Sequence, residues 1–486
     1  MKTDRQFLAR GAFINGIGLI TRVVSPVLVI LLARIYSKAE FGLFISLQAL
    51  IMTVSRAVLL GLDKGLLWYV PRTARHGNPP WGMAGSLWAS AGISALIFAG
   101  VALMVLTGAY SRVHAFEGVS APFLLLMAAS IFPFCAVNLF SGGLDGARQP
   151  QYRVFLGVFL TTALVPLIAI TLKGVLGGAA SLGVGMLLGY SIGALLFLPG
   201  LRKHFPGESW IRPSRPHVDL LRYSLPLAGT ELVSSVLLRM DLWMVLLFLG
   251  PEKAAVYAIM VTLANGLRSV RQAFDPLLIP IISNLHGDEV KTKLRPSFSY
   301  ATNMVSTLQL FIACFILVFP REILSLAGKD YAVEVFAFAF LLLGNLANGF
   351  LGLNGTVLLG LGKSRLTLSL SILALVLTLA FNWIFIPRFG ISGAAFSTFL
   401  VLVISNLLQF LIVRFRLRLS LYEPHLYINC ALELALILVL FFSYSKIEAL
   451  TLNLRIIVFG AMLLVLGALV LGKRAFSTAQ PINPDT

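Results

Sequence analysis

Apolar segments of 18 residues or more recur along the chain from residue 11 to residue 472, and each is long enough to cross about 30 Å of hydrocarbon as a helix. That pattern narrows the possible folds sharply. In lipid every backbone N–H and C=O must be satisfied within the protein, so a run of such segments specifies a bundle of spanning helices. Composition agrees, because 58% of the 486 residues are hydrophobic and 12% are charged, against about 25% charged in soluble domains. The expected fold is an all-α polytopic membrane protein with about 14 transmembrane helices. The spans fall near 11–33, 41–62, 83–107, 121–144, 154–172, 177–199, 223–249, 255–283, 297–319, 333–359, 366–387, 391–413, 425–444 and 455–472. Gly11 to Ala33 is too long for a signal h-region and reads as the first permanent span.

The formal charge of +18 would suggest nucleic acid in a soluble protein, but here the basic residues sit in short loops between apolar spans. With the N-terminus in the cytoplasm, 23 Lys and Arg lie in the tails and loops of that side, against 10 on the other, counting Arg455 at the last boundary there. This bias places both termini on the cytoplasmic side of the membrane. Cys135, Cys314 and Cys430 all fall inside apolar segments and the six histidines are scattered, so no disulfide frame, metal site or other cofactor is expected.

The sequence also repeats itself. Lys173-Gly-Val-Leu-Gly-Gly178-Ala-Ala180 aligns with Arg388-Phe-Gly-Ile-Ser-Gly393-Ala-Ala395, and Arg56-x6-Asp63 aligns with Arg268-x6-Asp275. Two parallel six-helix lobes are implied, residues 1–200 and 223–413, joined by a basic cytoplasmic connector at 201–222. Residues 414–486 add helices 13 and 14 and a cytoplasmic tail. Facing lobes of this kind enclose a cavity suited to alternating access, with spans 1, 2, 7 and 8 expected to line it.

A charged side chain at mid-bilayer costs at least about 2.5 to 3.5 kcal/mol, so such residues normally face a bundle interior or a wet cavity. Those inside or bordering the spans are Arg22, Arg56, Asp63, Glu231, Arg239, Asp241, Arg268, Arg271 and Asp275. On one continuous helix Arg268 and Asp275 would lie about 20° apart, with Arg271 neighbouring both. Asn265 extends that polar stripe. Glu231, Ser235 and Arg239 would share a face, with Asp241 nearly opposite. The acids serve either as charge partners that staple helices or as coupling groups. The arginines either neutralise them or face a ligand, and a guanidinium fork fits phosphate oxygens in pairs. Gly185, Gly189 and Gly193 at four-residue spacing would let the sixth span pack closely.

Several short motifs carry a resemblance: Glu40-Phe-Gly-Leu-Phe44 after the Arg22-to-Arg34 segment, Gly-Leu-Asp-Gly-Ala-Arg148 after span 4, Leu-Gly-Leu-Gly-Lys363 after span 10, and Gly-Ile-Ser-Gly-Ala-Ala395. With them the chain resembles the bacterial polysaccharide and O-antigen flippases of the multidrug, oligosaccharidyl-lipid and polysaccharide exporter superfamily. The resemblance implies a flippase that carries a polyprenyl-pyrophosphate-linked oligosaccharide to the outer leaflet for surface polysaccharide biosynthesis. It also implies a cavity lined by cations, which here would be Arg22, Arg56, Arg239, Arg268 and Arg271. The implied partners are membrane lipids, the lipid-linked oligosaccharide and other polysaccharide assembly proteins, with no nucleic acid. Coupling to protons, sodium or membrane potential stays open, because Asp63, Glu231, Asp241 and Asp275 lie in or beside the spans. A cation-coupled multidrug exporter of the same superfamily is one alternative. A membrane glycan polymerase or ligase is a second, although no nucleotide-binding loop, paired loop carboxylates or base-activated nucleophile supports an enzyme.

Overall fold

A computed structural model describes residues 24–75, 82–112, 119–206, 208, 210, 215–283, 289–351, 353–448 and 450–462. Among them the secondary structure is helical throughout, with no strand. In chain order the helices are α1 (Val24–Ile35), α2 (Lys38–Leu59), α3 (Leu62–Arg75), α4 (Met83–Leu106), α5 (Ala121–Gly146), α6 (Pro150–Leu176), α7 (Gly178–His204), α8 (Val218–Leu237) and α9 (Met240–Leu249). Then follow α10 (Pro251–Gln272), α11 (Asp275–Ser283), α12 (Glu289–Val318), α13 (Val335–Phe350), α14 (Asn354–Gly360), α15 (Ser364–Leu411), α16 (Pro424–Glu448) and α17 (Leu452–Met462).

Among the described residues eight helices are long and apolar enough to cross a membrane, or up to ten if the bent pairs α8–α9 and α13–α14 each make one span. α15 covers two expected spans, 366–387 and 391–413, and breaks at Gly390, whose φ of 60° and ψ of −137° lie outside the helical region. The expected eighth span is α10 with α11. The first expected span runs into residues outside the described set at its start, and the last at its end.

Besides the span that bends between α13 and α14, three spans that read as continuous helices are broken, for different reasons. Between α2 and α3, Leu60 and Gly61 both adopt left-handed φ, 49° and 70°. Glycine accepts this conformation freely, whereas a leucine holds it only under the constraint of its surroundings. Between α10 and α11, Pro276 brings no N–H to the carbonyl four residues earlier, and α10 ends at that residue, Gln272. Between α8 and α9 the chain bends by 45° at Leu238 and Arg239, where neither proline nor glycine stands.

The chain divides into two compact units, one of residues Met1–Ile259 with Ser371–Ala394, the other of Met260–Leu370 with Ala395–Thr486. In the first, Phe41, Phe44, Phe123, Phe197, Leu59 and Leu66 are fully buried. α7 packs on α6 through its glycines: a Cβ added at Gly185, Gly189 or Gly193 would come within 2.5 to 2.8 Å of Ala169, Val165 or Thr161. That closeness explains the four-residue spacing. In the second unit Phe298, Leu294, Ile282, Val357 and Tyr422 form the core, and the Tyr422 hydroxyl donates to the Leu351 carbonyl.

The local geometry repeats in each unit. α2 and α10 are both 22 residues long and start 213 residues apart, as do α3 and α11. The helix ends at Arg148 and Gly362 are closed alike, by Gln149 N donating to Leu144 O and by Lys363 N donating to Leu358 O. Both residues at those ends have left-handed φ.

Candidate functional site

In the first unit, the region where α2 and α3 meet α8 and α9 gathers four of the charges singled out from the sequence. Arg56 stands in the last turn of α2 and Asp63 in the first turn of α3. Each end of a helix favours the charge it carries here, cation at the C-terminus and anion at the N-terminus. Arg56 Nη1 lies 3.2 Å from Asp63 Oδ2 and 3.7 Å from Glu231 Oε2 of α8. The expected stacking of Arg56 over Asp63 on one helix is replaced by a pair that closes across the left-handed turn. Glu231 therefore turns to Arg56 rather than to Arg239.

Arg239 begins α9, at the bend. Its Nη1 donates to Ser235 Oγ at 3.0 Å and its Nη2 to Met52 Sδ at 3.4 Å. Ser235 also meets Thr53 of α2, hydroxyl to hydroxyl at 3.0 Å. Among the described residues no carboxylate lies within 4.0 Å of the Arg239 guanidinium. Its two hydrogen-bond partners are neutral, so its charge is not consumed in an ion pair among the described residues. Sequence reading gave no sign of Met52 or Thr53 as its companions, because neither carries a charge that stands out in an apolar span.

Close backbone contacts flank this polar patch. Toward one side, a side chain at Gly42 would overlap the Pro251 carbonyl; toward the other, Gly61 lies against the Ser224 carbonyl and Gly65 against the Ser224 hydroxyl. Only residues without a Cβ allow so close an approach there.

Asp241 belongs elsewhere. It is buried, and accepts from the Tyr257 hydroxyl of α10 at 2.7 Å and from Leu242 N at 2.9 Å. Arg22 lies outside the described residues. In the second unit Arg271 Nη1 lies 3.2 Å from Asp275 Oδ1, and Thr356 of α14 donates to the same oxygen at 2.5 Å. Arg268 is half-buried one turn earlier on α10, and the break before Asp275 places Arg268 and Asp275 on separate helices, so the angular coincidence expected of one continuous helix does not hold.

Two ionic features escaped the sequence reading. Glu433, 3% exposed in the middle of α16, accepts from Thr307 of α12 at 3.4 Å. A single acid inside an 18-residue apolar window was the signal. Arg153 Nε lies 2.5 Å from Asp145, and ties the turn after α5 to the start of α6.

Among the described residues, apolar helices long enough to span a bilayer, broken at charged turns, define a multi-pass membrane protein. Sequence comparison agrees: residues 8–286, more than half of the chain, match the model of the polysaccharide biosynthesis protein family, and residues 226–384 match that of the MatE family. The chain belongs to the polysaccharide biosynthesis protein family, within the multidrug, oligosaccharidyl-lipid and polysaccharide exporter superfamily. No curated protein matches it by sequence. Among solved structures it is similar to the lipid II flippase MurJ in an inward closed conformation, with a TM-score of 0.68 at 13% identity, covering 96% of this chain and 100% of that one. It is also similar to a multidrug resistance MATE family transporter in an inward-facing conformation, with a TM-score of 0.67 at 16% identity, covering 82% of this chain and 97% of that one. These relatives are transporters and flippases, not enzymes.

Proposed function

We propose that the protein is a flippase that moves a polyprenyl-pyrophosphate-linked oligosaccharide from the cytoplasmic to the outer leaflet of a bacterial cytoplasmic membrane, by alternating access, for surface polysaccharide such as O-antigen. The observation that carries this reading is Arg239: a guanidinium between two span segments, held by a serine hydroxyl and a thioether and by no carboxylate. A half-buried cation so placed retains donors for an oxygen-rich anion, and its planar fork matches the paired oxygens of a diphosphate. An exporter of cationic drugs would want the opposite charge. Arg56 stands beside it in the first unit, and Arg22, Arg268 and Arg271 complete the set of arginines assigned to the substrate from the sequence. Proteins of polysaccharide assembly are the expected partners, and both termini are assigned to the cytoplasm.

With the cytoplasm negative, outward movement of an anionic head group is favoured by about 2.3 kcal/mol per net charge per 100 mV. The membrane potential alone then supplies a driving force, and no coupling ion is required. The test is glycan display in cells whose own copy is deleted, complemented with Arg239→Ala and Arg239→Lys at equal protein level. Ala is expected to reduce display at least tenfold, with Lys rescuing only in part because an ammonium lacks the paired donors. Full display by Arg239→Ala, or unchanged glycan with altered drug susceptibility on deletion, would overturn the proposal.

A further inference from the structure

Beside the α3–α8 contact lies a cleft of about 500 Å³ lined by Trp68, Tyr69 and Arg72 of α3 and by Asp219, Arg222 and Tyr223 of α8. It is separate from the Arg56 and Arg239 patch and plays no part in the cargo reading. α3 follows the apolar span α2, and these α8 residues open the apolar pair α8–α9, so the cleft sits where span ends meet the head-group layer. Tryptophan and tyrosine are the residues that settle at that depth.

The arrangement inside the cleft is ordered. Trp68 and Tyr223 stack nearly parallel, 4.3 Å between ring centroids and 7° between planes. The Arg72 guanidinium carbon lies 4.1 Å from the Trp68 ring centroid. At these distances Arg72 and Tyr223 cannot share one face of the indole, so Trp68 is sandwiched between them. Two consequences follow. Arg72 packs on an aromatic face, which reduces the rotamer freedom that binding would otherwise cost. Trp68 has no bare face left on which a sugar ring could stack, so recognition must come from the guanidinium edges.

Arg222 supplies a second guanidinium from the neighbouring helix. The opposing charge is Asp219, which is two-thirds exposed and 3.9 Å from His217, leaving the cleft net positive. Tyr69 adds a phenol whose burial, with Asp219 and Glu208 near, pushes its pKa above the usual value, so it stays neutral. Two arginines from adjacent helices, one of them pre-set, with a positive balance and aromatic flanks at span ends, fit a tetrahedral phosphate oxyanion.

We propose that this cleft binds the phosphate of an anionic membrane phospholipid, with Arg72 and Arg222 bridging it. Such a phosphate would tie α3 to α8 directly next to the Gly61 and Gly65 contacts with Ser224, and so hold that junction closed in a lipid-dependent manner.

The test uses the full chain reconstituted in phosphatidylcholine vesicles that carry, at equal mole fraction, either dibrominated phosphatidylglycerol or dibrominated phosphatidylcholine. Bromine quenches nearby tryptophan, and the difference between the unaltered protein and Trp68→Phe isolates the signal of Trp68. Quenching by the anionic lipid is expected to exceed that by the zwitterionic lipid about twofold or more. Arg72→Gln/Arg222→Gln is expected to abolish the preference at an unchanged circular dichroism spectrum, and Arg72→Lys/Arg222→Lys to keep part of it. Counting co-purified phosphatidylglycerol by native mass spectrometry reads the same preference without Trp68→Phe. Equal quenching by both lipids, or a preference that survives the double Gln variant, would overturn the site. Loss of the preference on adding millimolar inorganic phosphate would overturn its assignment to a lipid and give it to a soluble phosphate.

Discussion

The Arg56, Asp63 and Glu231 cluster predicts an asymmetry that a simple count of salt bridges does not. Asp63 is the buried member, with a side chain 9% exposed, against 27% for Arg56 and 38% for Glu231. Arg56→Ala leaves that buried carboxylate with only the Lys64 backbone N–H and ammonium to support it, and removing one partner of a buried pair typically costs about 3 to 5 kcal/mol. Because Arg56 is itself partly exposed, water recovers some of that loss, and about 2 to 3 kcal/mol is expected. Asp63→Ala is the milder change: it leaves Arg56 near solvent with Glu231 still 3.7 Å away, at a cost of about 1 kcal/mol. Removing both should cost less than the sum of the singles by about 1 to 2 kcal/mol, as for residues in direct contact. The assay is the thermal unfolding midpoint of purified protein in one detergent, read by intrinsic fluorescence for the four members of the cycle. The reasoning predicts Arg56→Ala well below Asp63→Ala, and the double variant between the two singles rather than at their sum. Equal singles with an additive double would refute it, and would mean that the pair is solvated in the working protein.

Two further outcomes follow from the same geometry. Tyr257→Phe removes the hydroxyl that Asp241 accepts at 2.7 Å; it should lower stability by about 1 to 3 kcal/mol and leave glycan display normal once corrected for protein level. Gly61→Ala puts a Cβ against the Ser224 carbonyl at a φ of +70° and should cut folded yield, at about 1 to 3 kcal/mol of strain, whereas Gly92→Ala, with nothing within 4 Å, should be tolerated; equal yields would refute the close-packing argument.

The spans were legible because their signal is local and repeated: length and apolarity set a helix crossing lipid, and neither depends on tertiary contacts. The breaks were less so. Gly61 and Pro276 are visible punctuation, and a reader alert to them would have divided the second and eighth spans. Leu238 and Arg239 offer no such mark, and the bend there exists only because packing favours it. The charges were equally legible as a set and illegible as pairs. Angular arithmetic assumes one continuous helix, so it put Glu231 on the face of Arg239, whereas the observed bend frees Glu231 to meet Arg56. It placed Asp241 opposite Arg239, and there Tyr257, an uncharged residue of another helix, became the partner. Glu433 was missed because an isolated acid in a terminal apolar helix drew less notice than acids spaced from arginines.

The two halves of the sequence repeat also show what duplication preserves and what it releases. The length of α2 in α10, the helix starts and the left-handed caps at Arg148 and Gly362 recur at an offset of 213 or 214 residues, because backbone breaks fix where every later residue falls. The ionic pairs near those breaks have diverged. In the first unit Asp63 meets the arginine seven residues before it, across two left-handed residues. In the second, Asp275 meets the arginine four residues before it and takes a hydroxyl from Thr356 as well. Each carboxylate sits in the first turn of the helix after the break, where the N-terminal dipole favours it, and each finds whichever guanidinium the local turn delivers. The conserved element is therefore the broken helix that exposes backbone amides to an acid, and the identity of the arginine is free to change. It follows that Arg268, which matches Arg56 by motif, and Arg271, which matches it by contact, have separate tasks. Arg271→Ala should destabilise through Asp275, and Arg268→Ala should act on transport at normal stability. A stability loss from Arg268→Ala equal to that from Arg271→Ala would show the two to be one staple.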